Sequence, residues 1–114
     1  MSKARSAAGA RLHESAPVFA ALGDPTRLRL VARLCADGPL SITRLSEDVD
    51  VTRQAVTKHL VALEGAGLAR ARREGREQIW ELETQRLAAA RQTLDRISGQ
   101  WDSALTRLRA FVEQ

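Results

Sequence analysis

At 114 residues the chain has room for one domain, which excludes a multidomain enzyme. Its 44% apolar residues suffice for a core, its 28% charged residues fit a globular rather than a disordered chain, and no apolar run approaches the roughly 20 residues of a membrane span. The single Cys35 excludes an internal disulfide, and the net charge of +4 is concentrated. Residues 52–76 carry Arg53, Lys58, Arg70, Arg72, Arg73 and Arg76 against Glu64 and Glu74, so that window alone holds +4. The rest nearly balances. A basic stripe on a near-neutral body is the footprint of a polyanion partner, and a merely solvated surface is the alternative.

Residues 1–9 are small, polar and basic without apolar periodicity, which predicts a disordered basic arm with no secretory segment; residues 10–114 form the folded domain. A first helix is expected over about residues 12–22, with Leu12, Phe19 and Leu22 apolar. Asp24 and Pro25 then restart the chain as N-cap and first helical position.

The second helix runs from Pro25 to about Asp37, with Leu30, Val31, Leu34 and Cys35 on one broad face, and Gly38-Pro39 stops it. A buried, inert thiol is expected at Cys35. Ser41 caps a short third helix over residues 42–49. Only Asp50-Val51 separates it from Thr52, the cap of a fourth helix reaching Glu64. Two helices joined so tightly form a helix-turn-helix.

On the fourth helix, Val56, His59, Leu60 and Leu63 share an inward arc and Arg53, Gln54, Thr57, Lys58 and Val61 an outward one, at about 100° per residue. The outward arc lacks acids and offers varied hydrogen-bonding groups. After Gly65 and Gly67, residues 68–73 and 78–82 predict two strands around Glu74-Gly75-Arg76-Glu77.

From Thr84 to Val112 the pattern is helical, with Leu87, Leu94, Ile97, Trp101, Leu105, Leu108 and Val112 in one stripe. A helix on the order of 40 Å long outruns a small three-helix core, so part of the stripe needs a partner. A second copy of the same helix supplies it in a two-fold dimer, and a helix folding back over its own domain is the alternative.

The order of elements is that of a winged helix-turn-helix domain: mainly α, with a small β-hairpin wing and a dimerising C-terminal helix. The major groove of B-DNA admits one helix whose leading turns reach base edges. Thr52, Arg53, Gln54, Thr57 and Lys58 occupy those turns. Arg pairs bidentately with guanine and Gln with adenine, whereas Thr and Lys more often hold phosphates. Arg70, Arg72, Arg73 and Arg76 are expected along the flanking backbone, with Arg76 at the tip best placed for a minor groove.

The stretch Ala20-Ala21-Leu22-Gly23-Asp24-Pro25-Thr26-Arg27-Leu28-Arg29-Leu30 resembles the opening signature of the ArsR family of bacterial winged-helix repressors. Thr52-Arg53-Gln54-Ala55-Val56-Thr57-Lys58-His59-Leu60 and Leu63-Glu64-Gly65-Ala66-Gly67-Leu68 resemble its recognition helix and exit, and the resemblance runs from about Val18 to Val112. It implies a homodimeric repressor, in the bacterial cytoplasm at the nucleoid, whose first and last helices form the interface. The interface residues expected are Leu12, Phe19, Leu94, Ile97, Trp101, Leu105, Leu108 and Val112.

Several positions depart from the family pattern. Its Cys-x-Cys metal pair corresponds to Ser41 and Thr43, which are not soft ligands, and no His or Cys follows His59 where a second site would need them. No metal and no cofactor is therefore expected. Asp50 stands where the family turn usually has Gly, and a tolerated left-handed Asp is expected there. No nucleophile–base pairing, phosphate-cradling Gly loop or metal-spaced carboxylate cluster predicts catalysis. His59 reads as a structural histidine, and Trp80 and Trp101 as core and interface filler. The expected partners are double-stranded DNA and a second copy of the chain, with no membrane and an unidentified effector. The competing reading is a winged-helix protein-interaction module without DNA readout.

Overall fold

A computed structural model describes residues 3–47 and 49–113, with side chains described from Gly9 onward. The elements run α1 (Lys3–Leu22), α2 (Pro25–Asp37), β1 (Leu40–Ser41), α3 (Ile42–Glu47), α4 (Arg53–Gly65), β2 (Ala69–Glu74), β3 (Glu77–Leu82) and α5 (Thr84–Val112). The three strands form an antiparallel sheet in the order β1-β3-β2.

Local chemistry explains most boundaries. At the start of α2 the Asp24 carboxylate accepts from Arg27 N at 3.0 Å, satisfying a backbone donor the helix leaves unpaired, and Pro25 has no such donor to lose. Gly38 closes α2 at φ 76° with its N–H on Leu34 O. Thr52 caps α4 by accepting from Ala55 N at 3.1 Å. At the other end, Leu68 N donates to Leu63 O and Gly67 N to Glu64 O, both 2.9 Å, with Gly67 at φ 77°. That pair of bonds is a Schellman closure, and Leu63 and Leu68 are both fully buried beside it. The β2–β3 turn is only Gly75-Arg76, with Gly75 at φ 65° and Arg76 not in the left-handed region, the II′ pattern whose twist suits a hairpin.

The core lies between α2, α3, α4 and the sheet. Val56, Leu60 and Leu63 of α4 meet Leu30, Val31 and Leu34 of α2, with Leu45 and Trp80 beside them. Trp80 is buried between Leu40 and Ala71, its register partners on β1 and β2. Its Nε1 is the buried side-chain polar atom without a hydrogen-bond partner among the described residues. α5 begins where Glu83 N donates to Leu68 O at 2.8 Å, which ties it to the exit of α4. It then packs along α1, and its C-terminal part projects away from the core. The Cα radius of gyration is 18.5 Å against about 13 Å for a compact chain of this length, and the extents are 66 × 33 × 20 Å.

The fold departs from the sequence expectations in four places. Helix α1 begins at Lys3, where an irregular arm was expected over residues 1–9; positions 1 and 2 of that arm lie outside the described residues. Alanines 4, 7, 8 and 10 favour helix without marking a face, so periodicity gave no sign of it. Pro17 lies inside α1, where it withholds an N–H from the ladder. Strand β1 was missed because its two residues earn their assignment only by pairing with β3. Cys35 is exposed rather than inward: Leu30, Leu34 and Val31 span roughly 100° of α2, and Cys35 falls about 40° beyond that arc. Asp50 is not left-handed, since no described non-Gly residue has positive φ, so the turn into α4 closes without needing glycine.

Candidate nucleic-acid interface

Helix α4 presents its leading turns to solvent. Thr52, Arg53, Gln54 and Lys58 are exposed and Thr57 is half-buried, while Val56 and Leu60 on the opposite arc are fully buried. The Thr57 hydroxyl donates to Arg53 O at 3.0 Å, which directs its proton back to the helix and leaves its lone pairs outward. The Thr52 oxygen is engaged as the cap acceptor, so its hydroxyl proton is what it can offer a phosphate.

Two residues hold the rear of α4. Arg27 Nε donates to Ala21 O at 2.7 Å and its Nη1 reaches His59 Nδ1 at 3.5 Å, while Asp24 Oδ1 lies 3.8 Å from the same ring nitrogen. His59 is thus the structural histidine expected, on the seam between α4 and the start of α2. The backbone N–H of Arg27, more than the nearby His59 and Arg27 charges, holds the Asp24 carboxyl below its ordinary range.

A cleft of about 370 Å³ separates the start of α4 from the wing, lined by Thr43, Arg53, Arg72, Arg73, Arg76 and Gln78. It draws Arg53 of the helix and Arg72, Arg73 and Arg76 of the wing, with Glu77 among them, around one concave surface, and Lys58 and Arg70 do not line it. Among the described residues, Arg53, Lys58, Arg73 and Arg76 form no ion pair. Thr43 and Gln78 belong to this surface too, although sequence reasoning did not single out either one as a contact. Gln78 could have been found from the hairpin register, which sets it opposite Arg73.

Two wing arginines are engaged within the protein. Arg70 Nε lies 2.8 Å from Glu81 Oε1 and 2.7 Å from Glu83 Oε1, and the Glu81 hydrogen bond raises the Arg70 pKa. Arg72 Nη1 donates to Glu74 Oε2 at 2.9 Å. Strand alternation is the reason: Arg70 and Arg72 share the outer face with Glu81 and Glu74, whereas Ala71 and Arg73 point to the other. The positive surface of the wing is therefore narrower than a count of its arginines implies.

The expected interface residues share one region. Leu12 and Ile97 line a common small depression where α1 meets α5. Leu12, Leu94, Ile97, Trp101, Leu105, Leu108 and Val112 are all exposed, as is Phe111, which sequence reasoning left out. Phe19 differs, because it packs partly against the core of its own chain. Ser41 and Thr43, at the family's metal-pair positions, have other roles here: the Ser41 hydroxyl accepts from Arg44 N at 3.2 Å, and Thr43 lines the basic cleft. Among the described residues no cluster of three or more His, Cys, Asp or Glu is arranged to hold a metal ion, and no helix is long and apolar enough to cross a membrane.

A helix-turn-helix backed by a hairpin wing and a long terminal helix defines a DNA-binding regulator, and comparison with known proteins agrees. Residues 22–72 match the family model for a helix-turn-helix domain. The chain is 43% identical over 93 residues to the HTH-type transcriptional regulator Rv2034 of Mycobacterium tuberculosis, covering 82% of this chain and 83% of that one. It is 40% identical over 70 residues to the regulator CmtR of Mycobacterium bovis, covering 61% and 58%. Among solved structures, an ArsR-like transcriptional regulator from Rhodococcus sp. RHA1 superposes with a TM-score of 0.72 at 35% identity, covering 88% of this chain and 93% of that one. The chain belongs to the ArsR family of winged helix-turn-helix transcriptional regulators, which are DNA-binding proteins and not enzymes.

Proposed function

We propose that the chain acts as a homodimeric repressor that reads an imperfect palindrome in double-stranded DNA. The observation that carries the reading is the convergence of exposed Arg53 on α4 and unpaired Arg73 and Arg76 on the wing around one cleft, with Gln54 free in the first turn of the helix. Arg53 and Gln54 contact base edges in the major groove, and Thr52, Thr57 and Lys58 hold phosphates. Arg73 and Arg76 follow the flanking backbone, with Arg76 at the minor groove. Arg70 and Arg72 contribute less, because binding DNA would require exchanging protein carboxylates for phosphates.

Self-association supplies the second half-site. The exposed stripe from Leu94 to Val112 with Leu12, helped by Phe19, gives α1 and α5 an apolar face that a two-fold mate covers. Two recognition helices then meet successive major grooves about 34–36 Å apart. Repression follows where such a site overlaps a promoter, since bound protein excludes polymerase, and the protein works in the bacterial cytoplasm at the nucleoid. The folded unit from α1 to α5 suffices for both tasks.

The test is an anisotropy titration against duplex DNA with Arg53→Ala and Gln54→Ala. Loss of discrimination at one or two base pairs, with the dimer intact, supports direct readout. Binding that does not respond to either substitution supports instead a protein-interaction module that keeps the scaffold without reading DNA.

A further inference from the structure

A second polar cavity, of about 300 Å³, lies between α1 and α5, away from the basic cleft, and the proposed function makes no use of it. Its base holds the hydroxyls of Ser15 and Thr93, both buried and 3.1 Å apart. Thr93 also donates to Ala89 O at 3.2 Å, so its one proton is committed and Ser15 must be the donor between them. The Ser15 oxygen keeps acceptor capacity facing the cavity. Exposed side chains form the walls: Arg11 and Glu14 from α1, Arg86 and Gln92 from α5. None of the three charged ones forms an ion pair among the described residues.

From this arrangement we infer that the α1–α5 cavity is a binding site for a small organic acid carrying one carboxylate. Two guanidiniums against one carboxylate leave a single uncompensated positive charge, which one ligand carboxylate neutralises. Arg presents the planar fork that matches a carboxylate bidentately, and Gln92 adds amide donors. The remaining volume, over Val18 and Ala89, is apolar and has room for on the order of ten non-hydrogen atoms.

The cavity adjoins the apolar stripe. On α5, Arg86 and Thr93 lie roughly 80–100° around the helix from the mean of Leu94, Trp101 and Leu105 but within about 40° of Ile97, and Gln92 lies on the far side; Arg11 and Thr93 also line the small depression that holds Leu12 and Ile97. Glu14, Arg86 and Gln92 line the cavity but not that depression. One wall residue, Arg86, also touches the end of the recognition helix. The Arg86 side chain lies against Gly67, the left-handed residue that closes α4, so closely that a Cβ at Gly67 would overlap the Arg86 Cδ and Nε. A ligand that draws the Arg86 guanidinium over the cavity acts on the end of α4.

Amide chemical shifts of the full chain, recorded without DNA, test the site separately from DNA reading. The probes are butyrate, hexanoate, benzoate and phenylacetate, each beside its own carboxamide. The expected result is a saturable shift at Ser15, Gln92, Thr93 and Gly67 with at least one acid, and about tenfold weaker binding of its carboxamide. Arg11→Ala and Arg86→Ala should each weaken the acid about tenfold, and Arg11, being exposed, can be removed without disturbing the fold. The inference is overturned if no acid shifts these amides at about 10 mM, if carboxamides bind equally well, or if the shifts cluster on the wing and α4 start instead.

Discussion

Ser15 and Thr93 stand 78 positions apart in the chain, yet their hydroxyls share a buried hydrogen bond that fixes the register of α1 on α5. Both are buried at the base of the α1–α5 cavity, where an unpaired hydroxyl is costly. Ser15→Ala removes the donor to Thr93 and should lower unfolding stability by about 1–3 kcal/mol in urea titrations. The double variant Ser15→Ala/Thr93→Val should be less destabilised than the sum of the single changes, because it leaves no orphan. Strict additivity would mean that the two hydroxyls are not partners.

The ion pairs of the wing separate its arginines into two groups. Arg76→Ala should weaken DNA binding evenly across sequences and reduce the salt slope by about one. Arg70→Ala should change affinity much less, because Glu81 and Glu83 already neutralise that guanidinium. Anisotropy at several salt concentrations reads both, and equal losses would show that Arg70 leaves its carboxylates to bind phosphate.

Asp24 gives the α2 cap a pH signature. Its carboxyl titrates lower in the folded chain than in the unfolded one, chiefly through the Arg27 backbone N–H, so its contribution is present above the unfolded value of about 3.9 and is lost as pH falls through the lower folded value. Asp24→Asn should therefore lower the melting temperature at neutral pH and show a smaller loss on acidification below about pH 4. Thermal melts from pH 7 down to 3 compare the two, and parallel curves would remove the carboxylate from the account.

Trp101 stands 64% exposed in the single chain, at the middle of the α5 stripe. Trp101→Asp places a charge where the mate would pack, and sedimentation should show a monomer with unchanged helix content. A dimer that survives this change would locate self-association elsewhere.

Most helix boundaries were legible because single residues dictate them. Asp24-Pro25, Thr52 and Gly67 are local devices, and each does in the structure what its chemistry requires. The sorting of α4 into Val56, Leu60 and Leu63 inside and Gln54 and Lys58 outside was legible for the same reason, since one period decides it. What escaped depends on pairing across the chain. Strand β1 exists only through β3, and the neutralisation of Arg70 follows from the register that places Glu81 opposite it. Cys35 was misplaced by a matter of degrees, because the edge of a buried arc depends on what packs there.

Selection of bound duplexes from random DNA tests the central claim most directly, because it assumes no operator. The account predicts an enriched inverted repeat with half-sites about 10–10.5 base pairs apart centre to centre, or a multiple of that. Binding to it should fall by about 10³ to 10⁵ between 50 and 200 mM salt, and Gln54→Ala should blur one or two positions in each half. Recovery of no shared motif, or of a single unrepeated site that Gln54→Ala leaves untouched, would contradict it.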